Sequence, residues 1–93
     1  MKVKYEIILE LKAQKDISFI RKTDKKSFVK LEKLLEELQE HPYTGIGNPE
    51  QLKHELNGFW SRRINKKDWL LYKIDDIQIT VYIVSAKGHY NDK

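Results

Sequence analysis

The residues whose types could do chemistry are concentrated in one stretch, 48–72, which reads NPEQLKHELNGFWSRRINKKDWLLY. It holds a carboxylate at Glu50, several basic side chains and two tryptophans. A second group, Gly88-His89-Tyr90, adds an imidazole and a phenol close to the C-terminus. A fold that brings the two groups together would form a chemical site, whereas a fold that keeps them apart would leave a basic surface.

Length and composition limit the classes of protein to which the chain can belong. Its 93 residues predict one domain, 1–93, with a single modest core. Eighteen Lys and Arg against 14 Asp and Glu give a net charge of +4, which is compatible with a polyanionic partner. The absence of cysteine excludes disulfides and thiolate chemistry and fits a cytoplasmic protein. We find no signal peptide and no apolar run near the roughly 18 residues that span a bilayer, so no membrane association is expected.

The apolar pattern of the N-terminal half predicts a strand followed by a helical hairpin. Apolar side chains alternate over 3–9, as in a strand, and then recur at spacings of four and three over about 10–22, as in an amphipathic helix. Thr23 or Asp24 is expected to cap a second helix. Five apolar residues share one face of that helix: Phe28, Leu31, Leu34, Leu35 and Leu38. The segment 41–49, which contains both prolines, ends the helix and is expected to be a loop.

The C-terminal half predicts an antiparallel meander. The expected strands are 51–56, 59–66, 69–74 and 77–85. Asn57-Gly58, between the first two, is a strong signal for a two-residue hairpin. Four apolar residues share one face of the last strand: Ile77, Ile79, Val81 and Ile83. We therefore predict an α+β fold in which two N-terminal helices pack on one face of a twisted, mainly antiparallel sheet of about five strands.

Strand alternation places a basic and aromatic surface on the face of the sheet opposite the helices. If Ile64 faces the core, Arg63 faces the open side, and the same rule places Trp69 there. Residues 51–69 carry five Lys or Arg and two acids, a net charge of +3. A basic sheet face with an interleaved aromatic residue is typical of proteins that bind single-stranded nucleic acid.

Each of these features also has a plainer interpretation. The charges over 62–67 are compatible with a solvated hairpin, and Trp60 and Trp69 with ordinary packing. A histidine near a chain end, such as His89, is commonly a surface residue without a catalytic role. The glycines in 45–47 do not lie between a strand and a helix, which favours a turn over a phosphate cradle.

The sequence PEQLKHELNGFWSRRIN, followed by a Leu-Leu-Tyr strand and a terminal His-Tyr pair, resembles the YoeB/Txe branch of the RelE toxin superfamily. The resemblance spans essentially the whole chain. It implies a RelE-like, microbial-RNase-like fold and the role of toxin in a type II toxin–antitoxin module. It also implies an mRNA interferase, a metal-independent endoribonuclease without a cofactor that cuts message in the ribosomal A site. The implied partners are a YefM/Axe-type antitoxin, the 70S ribosome with its mRNA, and a second copy of the toxin.

The resemblance further implies roles for individual residues. The 2′-hydroxyl of the RNA attacks the neighbouring phosphorus, with Glu50 as the general base and His89 as the general acid. Tyr90 matches an aromatic residue that positions the RNA and supports the histidine. The basic set that holds phosphates corresponds to Lys53, His54 and Arg63.

One pair of adjacent residues departs from the pattern of the family. The family usually has His-Arg where this chain has Asp68-Trp69, and that arginine clamps the scissile phosphate. Trp69 can stack on a base but carries no charge, and the loss of one such donor typically costs about 10²–10³ in rate. Either Arg63 or a lysine of the 66–67 turn supplies the charge, or the protein is a weakened toxin that acts mainly as a binding module.

Glu50 raises a separate question of geometry. Strict alternation through 50–52 would place its side chain on the face of Leu52, which is apolar. We therefore expect the regular strand to start after Glu50.

Overall fold

The computed structural model describes residues 3–88, which form two helices and a five-stranded sheet. In chain order the elements are β1 (Glu6–Leu9), α1 (Leu11–Thr23), α2 (Lys25–Leu38), β2 (Glu50–Gln51), a short 3₁₀ helix (His54–Leu56), β3 (Phe59–Arg63), β4 (Trp69–Asp75) and β5 (Thr80–Ser85). The strand order is β1-β5-β4-β3-β2, with β1 parallel to β5 and the other neighbours antiparallel. The predicted α+β class, with two helices on a mainly antiparallel sheet, is confirmed.

Both helices bury an apolar stripe against the same face of the sheet. On α1, Ala13 and Ile20 are buried, and on α2, Leu31, Leu34 and Leu38 have no exposed surface. The principal sheet residues of this core are Leu70, Tyr72, Val81 and Ile83, with Trp60 and Ile74 partly buried against them. Among the described residues neither helix packs on the opposite face of the sheet, where Arg63 and Lys73 are exposed.

Asp24 separates the two helices and caps the second, as predicted. Its carboxylate accepts the Ser27 hydroxyl at 2.7 Å and the Ser27 backbone N–H at 3.1 Å. These hydrogen bonds stabilise the charged form and lower the pKa of Asp24. Thr23 closes α1 instead, because its hydroxyl donates to the Phe19 carbonyl at 2.8 Å. Neither helix of the described chain is long and apolar enough to span a bilayer.

The prediction of a strand over 51–56, joined to the next strand by a two-residue hairpin, is wrong. β2 ends at Gln51, after only two residue pairs with β3. His54 then adopts a left-handed backbone conformation, with φ of 60°, and the chain forms the 3₁₀ helix instead of extending the strand. Asn57-Gly58 therefore lies in a longer connection and does not set the register of a tight hairpin.

β1 and β3 are also shorter than predicted. β1 covers Glu6–Leu9 rather than 3–9. The Tyr5 N–H donates to the Gln39 carbonyl at 2.7 Å, so the chain is tied to the end of α2 before β1 begins. β3 ends at Arg63 rather than at 66, because the Asn65 side chain accepts two backbone N–H groups at 2.8 Å each and closes a turn.

β5 begins at Thr80 rather than at 77, so half of its predicted apolar face is not in the core. The Asp75 carboxylate accepts two backbone N–H groups at 3.0 Å each, which turns the chain directly after β4. Ile77 is 95% exposed, and Ile79 has a left-handed backbone, with φ of 52°, within this turn. The other two residues of that face, in the middle of β5, are buried as predicted.

Arg62 joins α2, the 41–49 loop and the sheet. It has no exposed surface, and its guanidinium donates to Glu37 Oε1 at 2.7 Å and to the Tyr72 hydroxyl at 2.9 Å. The remaining donors reach carbonyls of the loop, the two shortest at 2.6 and 2.9 Å. The charge is therefore paired and hydrogen-bonded, which is the condition for burying an arginine. The interpretation of Arg62 as a residue of a solvated hairpin is wrong.

The 41–49 loop wraps around this guanidinium and requires glycine at two positions. Gly45 has φ of 130°, and a Cβ atom there would lie 1.8 Å from Glu37 Oε1. Gly47 has φ of 83°, and a Cβ atom there would lie 2.7 Å from a leucine of α2. The Ile46 N–H donates to Glu37 Oε1 at 2.7 Å. The predicted turn is confirmed, and its glycines allow the backbone to approach the buried ion pair.

Asp76 fastens the same loop to the β4–β5 turn. It accepts hydrogen bonds from the hydroxyls of Tyr43 and Tyr5, the latter at 2.5 Å. These bonds lower the pKa of Asp76, and the one from Tyr43 raises the pKa of that phenol to about 12. Tyr43 packs edge-on against Trp60, with ring centroids 5.3 Å apart. Trp60 is therefore a packing residue, as one of the two interpretations held.

We expect Arg62→Met to lower the free energy of unfolding by about 3–5 kcal/mol, because it leaves a carboxylate, a phenol and loop carbonyls without their buried donor. Urea denaturation followed by tryptophan fluorescence measures the loss. The matched control is Arg63→Met, one residue along the strand and exposed, for which we expect a loss below about 1 kcal/mol. Equal losses for the two variants would contradict the role of Arg62 as the buried link.

Candidate functional site

Arg63 and Trp69 form a pair on the open face of the sheet. They are direct partners in the β3–β4 ladder, and the next pair, Arg62 and Leu70, is fully buried on the helix side. Alternation therefore turns Arg63 and Trp69 away from the helices. The Arg63 guanidinium carbon lies 5.0 Å from the centre of the Trp69 ring, which is a cation–π distance. The predicted open-face pair is confirmed.

Glu50 lies on the same open face, and its side chain is exposed. Its partner in β3 is Ser61, which alternation places on the side of Arg63. The expectation that the regular strand starts after Glu50 is wrong, because Glu50 is the first residue of β2. Leu52 is buried at 4% exposure but lies outside the main core, so the face that it shares with Glu50 is the open one.

Lys53 and His54 line a shallow groove together with Glu50. The groove has a volume of about 320 Å³ and is bounded by residues 50–54. Both basic residues are exposed, and the left-handed backbone of His54 bends the chain around the groove. An ammonium group and an imidazole therefore lie beside the carboxylate, where they could contact a phosphate.

The residues 86–88 that follow β5, called here the C-terminal segment, are anchored beside Trp69 through Gly88. The Gly88 N–H donates to Asp68 Oδ1 at 2.7 Å, and the backbone N–H of Trp69 donates to the Gly88 carbonyl at 3.2 Å. Gly88 is the last residue that the structure describes. The roles of His89 and Tyr90 fall outside the described residues and stay predictions.

Asp68 has a positioning role that the sequence did not reveal. It is buried at 6% exposure, and besides the Gly88 N–H its carboxylate accepts the Asn65 amide at 3.0 Å. The same amide donates to the Ser27 hydroxyl at 2.8 Å, so hydrogen bonds connect the start of α2 with the C-terminal segment. The signal that could have found Asp68 is the Asn-x-x-Asp spacing of the β3–β4 turn, because asparagine side chains commonly close such turns.

Three chemical functions therefore share one face of the sheet. Glu50 supplies a proton acceptor, Arg63 a permanent positive charge, and Trp69 an aromatic surface on which a base can stack. Lys66 and Lys67 are exposed in the adjoining turn, as the solvated-hairpin interpretation expected. Within residues 3–88, no three Asp, Glu or His side chains are grouped so that they could hold a metal ion.

Two solved structures that share this fold contain bacterial toxins. The YoeB/ParE toxin from Agrobacterium tumefaciens superimposes with a TM-score of 0.85 at 27% identity, covering 91% of this chain and 99% of that one. The heterotetrameric YoeB-YefM toxin–antitoxin complex from Staphylococcus aureus contains a chain that superimposes with a TM-score of 0.80 at 36% identity, covering 94% and 99%. The fold and the open face therefore define a toxin of the RelE-like class.

Sequence relatives narrow this class to one family. The chain is 38% identical over 78 residues to toxin RelK from Mycobacterium tuberculosis, covering 84% of this chain and 89% of the relative. It is 37% identical over 75 residues to toxin YoeB from Escherichia coli K12, covering 81% and 87%. The family described as YoeB-like toxin of bacterial type II toxin-antitoxin system matches residues 9–90. The chain belongs to this family and is a type II toxin, which confirms the resemblance seen in the sequence.

We expect Asp68→Ala to loosen the C-terminal anchor, because it removes the acceptor of the Gly88 N–H. Hydrogen exchange of the Gly88 amide, followed by NMR, should become about 10-fold faster or more, as expected when a hydrogen bond to a charged group is lost. Lys66→Ala, in the exposed part of the same turn, is the control and should leave the exchange rate unchanged. An unchanged rate in Asp68→Ala would show that the anchor lies elsewhere.

Proposed function

We propose that this toxin is a ribosome-dependent mRNA endoribonuclease that cuts message in the ribosomal A site. The observation that carries the proposal is that Glu50, Arg63 and Trp69 share the open face of the sheet. Cleavage of RNA by its own 2′-hydroxyl requires a proton acceptor, a cation and a surface that holds the bases, and these residues supply the three.

In the proposed reaction the RNA attacks itself. The Glu50 carboxylate takes the proton of a 2′-hydroxyl, whose oxygen bonds to the adjacent phosphorus. The bond from that phosphorus to the 5′-oxygen breaks, and His89 donates a proton to the departing oxygen. The products are a 2′,3′-cyclic phosphate and a 5′-hydroxyl, and no step uses a metal ion.

Arg63 is the cation that we assign to the charge that develops on the phosphorane oxygens. It lies across the β3–β4 ladder from Trp69, the position where the family usually has arginine. The Arg63 charge lies one strand spacing, about 4.8 Å, from the position of the family's arginine, a distance that the long arginine side chain can span. Lys53 and His54, in the groove beside Glu50, are assigned to the flanking phosphates.

Trp69 and Tyr90 are the residues that we assign to positioning the RNA. An indole ring stacks on any base, so Trp69 can hold a nucleotide without selecting a sequence. The anchor of Gly88 beside Trp69 supports a role for the residues that follow it in the same site, because Gly88 directly precedes His89 in the chain.

The proposed partners follow from the relatives. Staphylococcus aureus YoeB is known both in a heterotetrameric complex with YefM and as a dimer. We propose a YefM/Axe-type antitoxin and a second toxin copy as partners of this chain, and the 70S ribosome with its mRNA as the complex on which it acts. We also propose a cytoplasmic location, because the ribosome and its mRNA are found there.

A second candidate function is a weakened toxin that acts mainly by binding its antitoxin or the ribosome. The observation that favours it is the neutral indole of Trp69 at the position where the family usually has arginine. Loss of one preorganised donor typically costs about 10²–10³ in rate, which would leave binding as the main activity.

For the leading proposal, we expect Glu50→Gln to slow single-turnover cutting of mRNA on programmed ribosomes by about 10²–10⁴, because the amide cannot take the proton. Primer extension that maps the new 5′ ends measures the rate. Glu32→Gln, an exposed residue of α2 on the other side of the sheet, is the matched control and should cut at the wild-type rate. Cutting by Glu50→Gln at the wild-type rate would exclude Glu50 as the base.

Trp69→Arg separates the two candidate functions. If Arg63 already supplies the charge, Trp69→Arg should change the cutting rate by less than about 10-fold, and Arg63→Met should lower it by about 10²–10³. The uncharged variant Trp69→Leu controls for the loss of the ring. A gain of about 10² or more in Trp69→Arg would instead show that the wild type is the weakened form.

A further inference from the structure

A second row of side chains crosses the open face next to Glu50 and Arg63. Phe59 in β3, Lys73 in β4 and Tyr82 in β5 are direct partners across the two ladders. Phe59 is two residues before Ser61 and four before Arg63 in the same strand, so alternation places the whole row on the open face. We call these three residues the aromatic row.

The Lys73 ammonium lies between the two rings of the aromatic row. Its Nζ atom is 5.5 Å from the centre of the Phe59 ring and 6.0 Å from that of Tyr82, and both distances are in the cation–π range. Lys73 is exposed, and each ring is half-buried. Neither ring belongs to the main hydrophobic core, so packing against the helices does not account for them.

We propose that the aromatic row is a nucleobase subsite for the mRNA that flanks the cut, a role that rests on the proposed endoribonuclease function. The rise of a strand places the row about 7 Å from Ser61, the partner of Glu50, and about 13 Å from Arg63. An RNA strand that lies over Glu50 and Arg63 therefore continues across the row.

Lys73 occupies the ring faces until RNA arrives. Its four-carbon stem is flexible, so the ammonium can swing from the rings to a phosphate and uncover the ring faces. A base then stacks on Phe59 or Tyr82. The exchange is favourable because a stacked base and a lysine–phosphate contact replace two contacts between rings and an exposed ammonium, which are individually weaker.

The chemistry of the aromatic row fits a single strand of RNA better than an acidic peptide. A peptide carboxylate could pair with Lys73, but acidic residues offer no flat group for the two rings. Each nucleotide offers both a flat π face and a phosphate. The nearby cations, Arg63 and Lys53, continue the same sign of charge along the face.

The test measures the affinity of the full chain for ribosomes programmed with an mRNA whose A-site codon carries 2′-O-methyl groups and cannot be cut. Tyr82→Leu and Phe59→Leu should each weaken binding by about 10-fold, the effect of losing one stacked base. Tyr82→Phe keeps the ring and should bind as the wild type does. The single-turnover cutting rate on the unmodified codon should fall in the same variants.

Salt dependence gives an independent measure that needs no ring substitution and stays informative if a leucine variant fails to fold. Lys73→Met should reduce the slope of log affinity against log salt by about 0.7, the value for one phosphate contact in a single strand. Lys33→Met, an exposed lysine of α2, is the matched control and should leave the slope unchanged.

The outcomes distinguish a failure of the proposed subsite from a failure of the proposed endoribonuclease function. Wild-type affinity and slope in Tyr82→Leu and Lys73→Met would overturn the subsite, while cutting that depends on Glu50 would keep the endoribonuclease function. Loss of antitoxin binding in these variants, with RNA affinity intact, would assign the row to the protein partner and overturn the subsite. Weakened RNA binding in the variants, together with a wild-type chain that binds RNA but does not cut it, would support the subsite and reject the nuclease.

Discussion

The structure depends most on the burial of one guanidinium, that of Arg62. Because every donor of this group must find an acceptor away from water, α2 supplies a carboxylate, β4 a phenol and the 41–49 loop its carbonyls. The loop that these bonds hold leads directly into Glu50. Alternation along the strand then turns Arg63 outward, so the two adjacent arginines lie on opposite faces of the sheet, with Arg62 in the core and Arg63 exposed.

The departure from the family pattern at Asp68-Trp69 has a physical account in which the two residues act together. Asp68 turns inward, where its carboxylate holds the Gly88 N–H and the amide that closes the β3–β4 turn. Trp69 turns outward, and the centre of its ring lies 5.0 Å from the Arg63 guanidinium carbon. The backbone N–H of Trp69 donates to the Gly88 carbonyl. The pair thus anchors Gly88 and presents an aromatic surface, beside which Arg63 is the neighbouring cation.

The sequence predicted the fold class, the two helices and the open-face placement of Arg63 and Trp69, because hydrophobic periodicity and strand alternation depend only on local spacing. It did not predict the bounds of β2 or the start of β5, because side-chain hydrogen bonds in turns override β-propensity, as Asp75 does for Ile77. Nor did it predict the contacts of Asp68, which join residues 20 positions apart in the chain. Long-range polar contacts of this kind leave no periodic signal.

In the proposed function the open face holds RNA while the RNA cuts itself. The most direct measurement uses ribosomes programmed with an mRNA in which single nucleotides of the A-site codon carry a 2′-deoxyribose. A deoxyribose at the cleaved nucleotide removes the attacking hydroxyl, so no cut should occur there, although the toxin still binds. The unmodified message should give fragments that end in a 2′,3′-cyclic phosphate. Cutting at the deoxy position at the normal rate would contradict the account, because the attacking oxygen would then have to come from water.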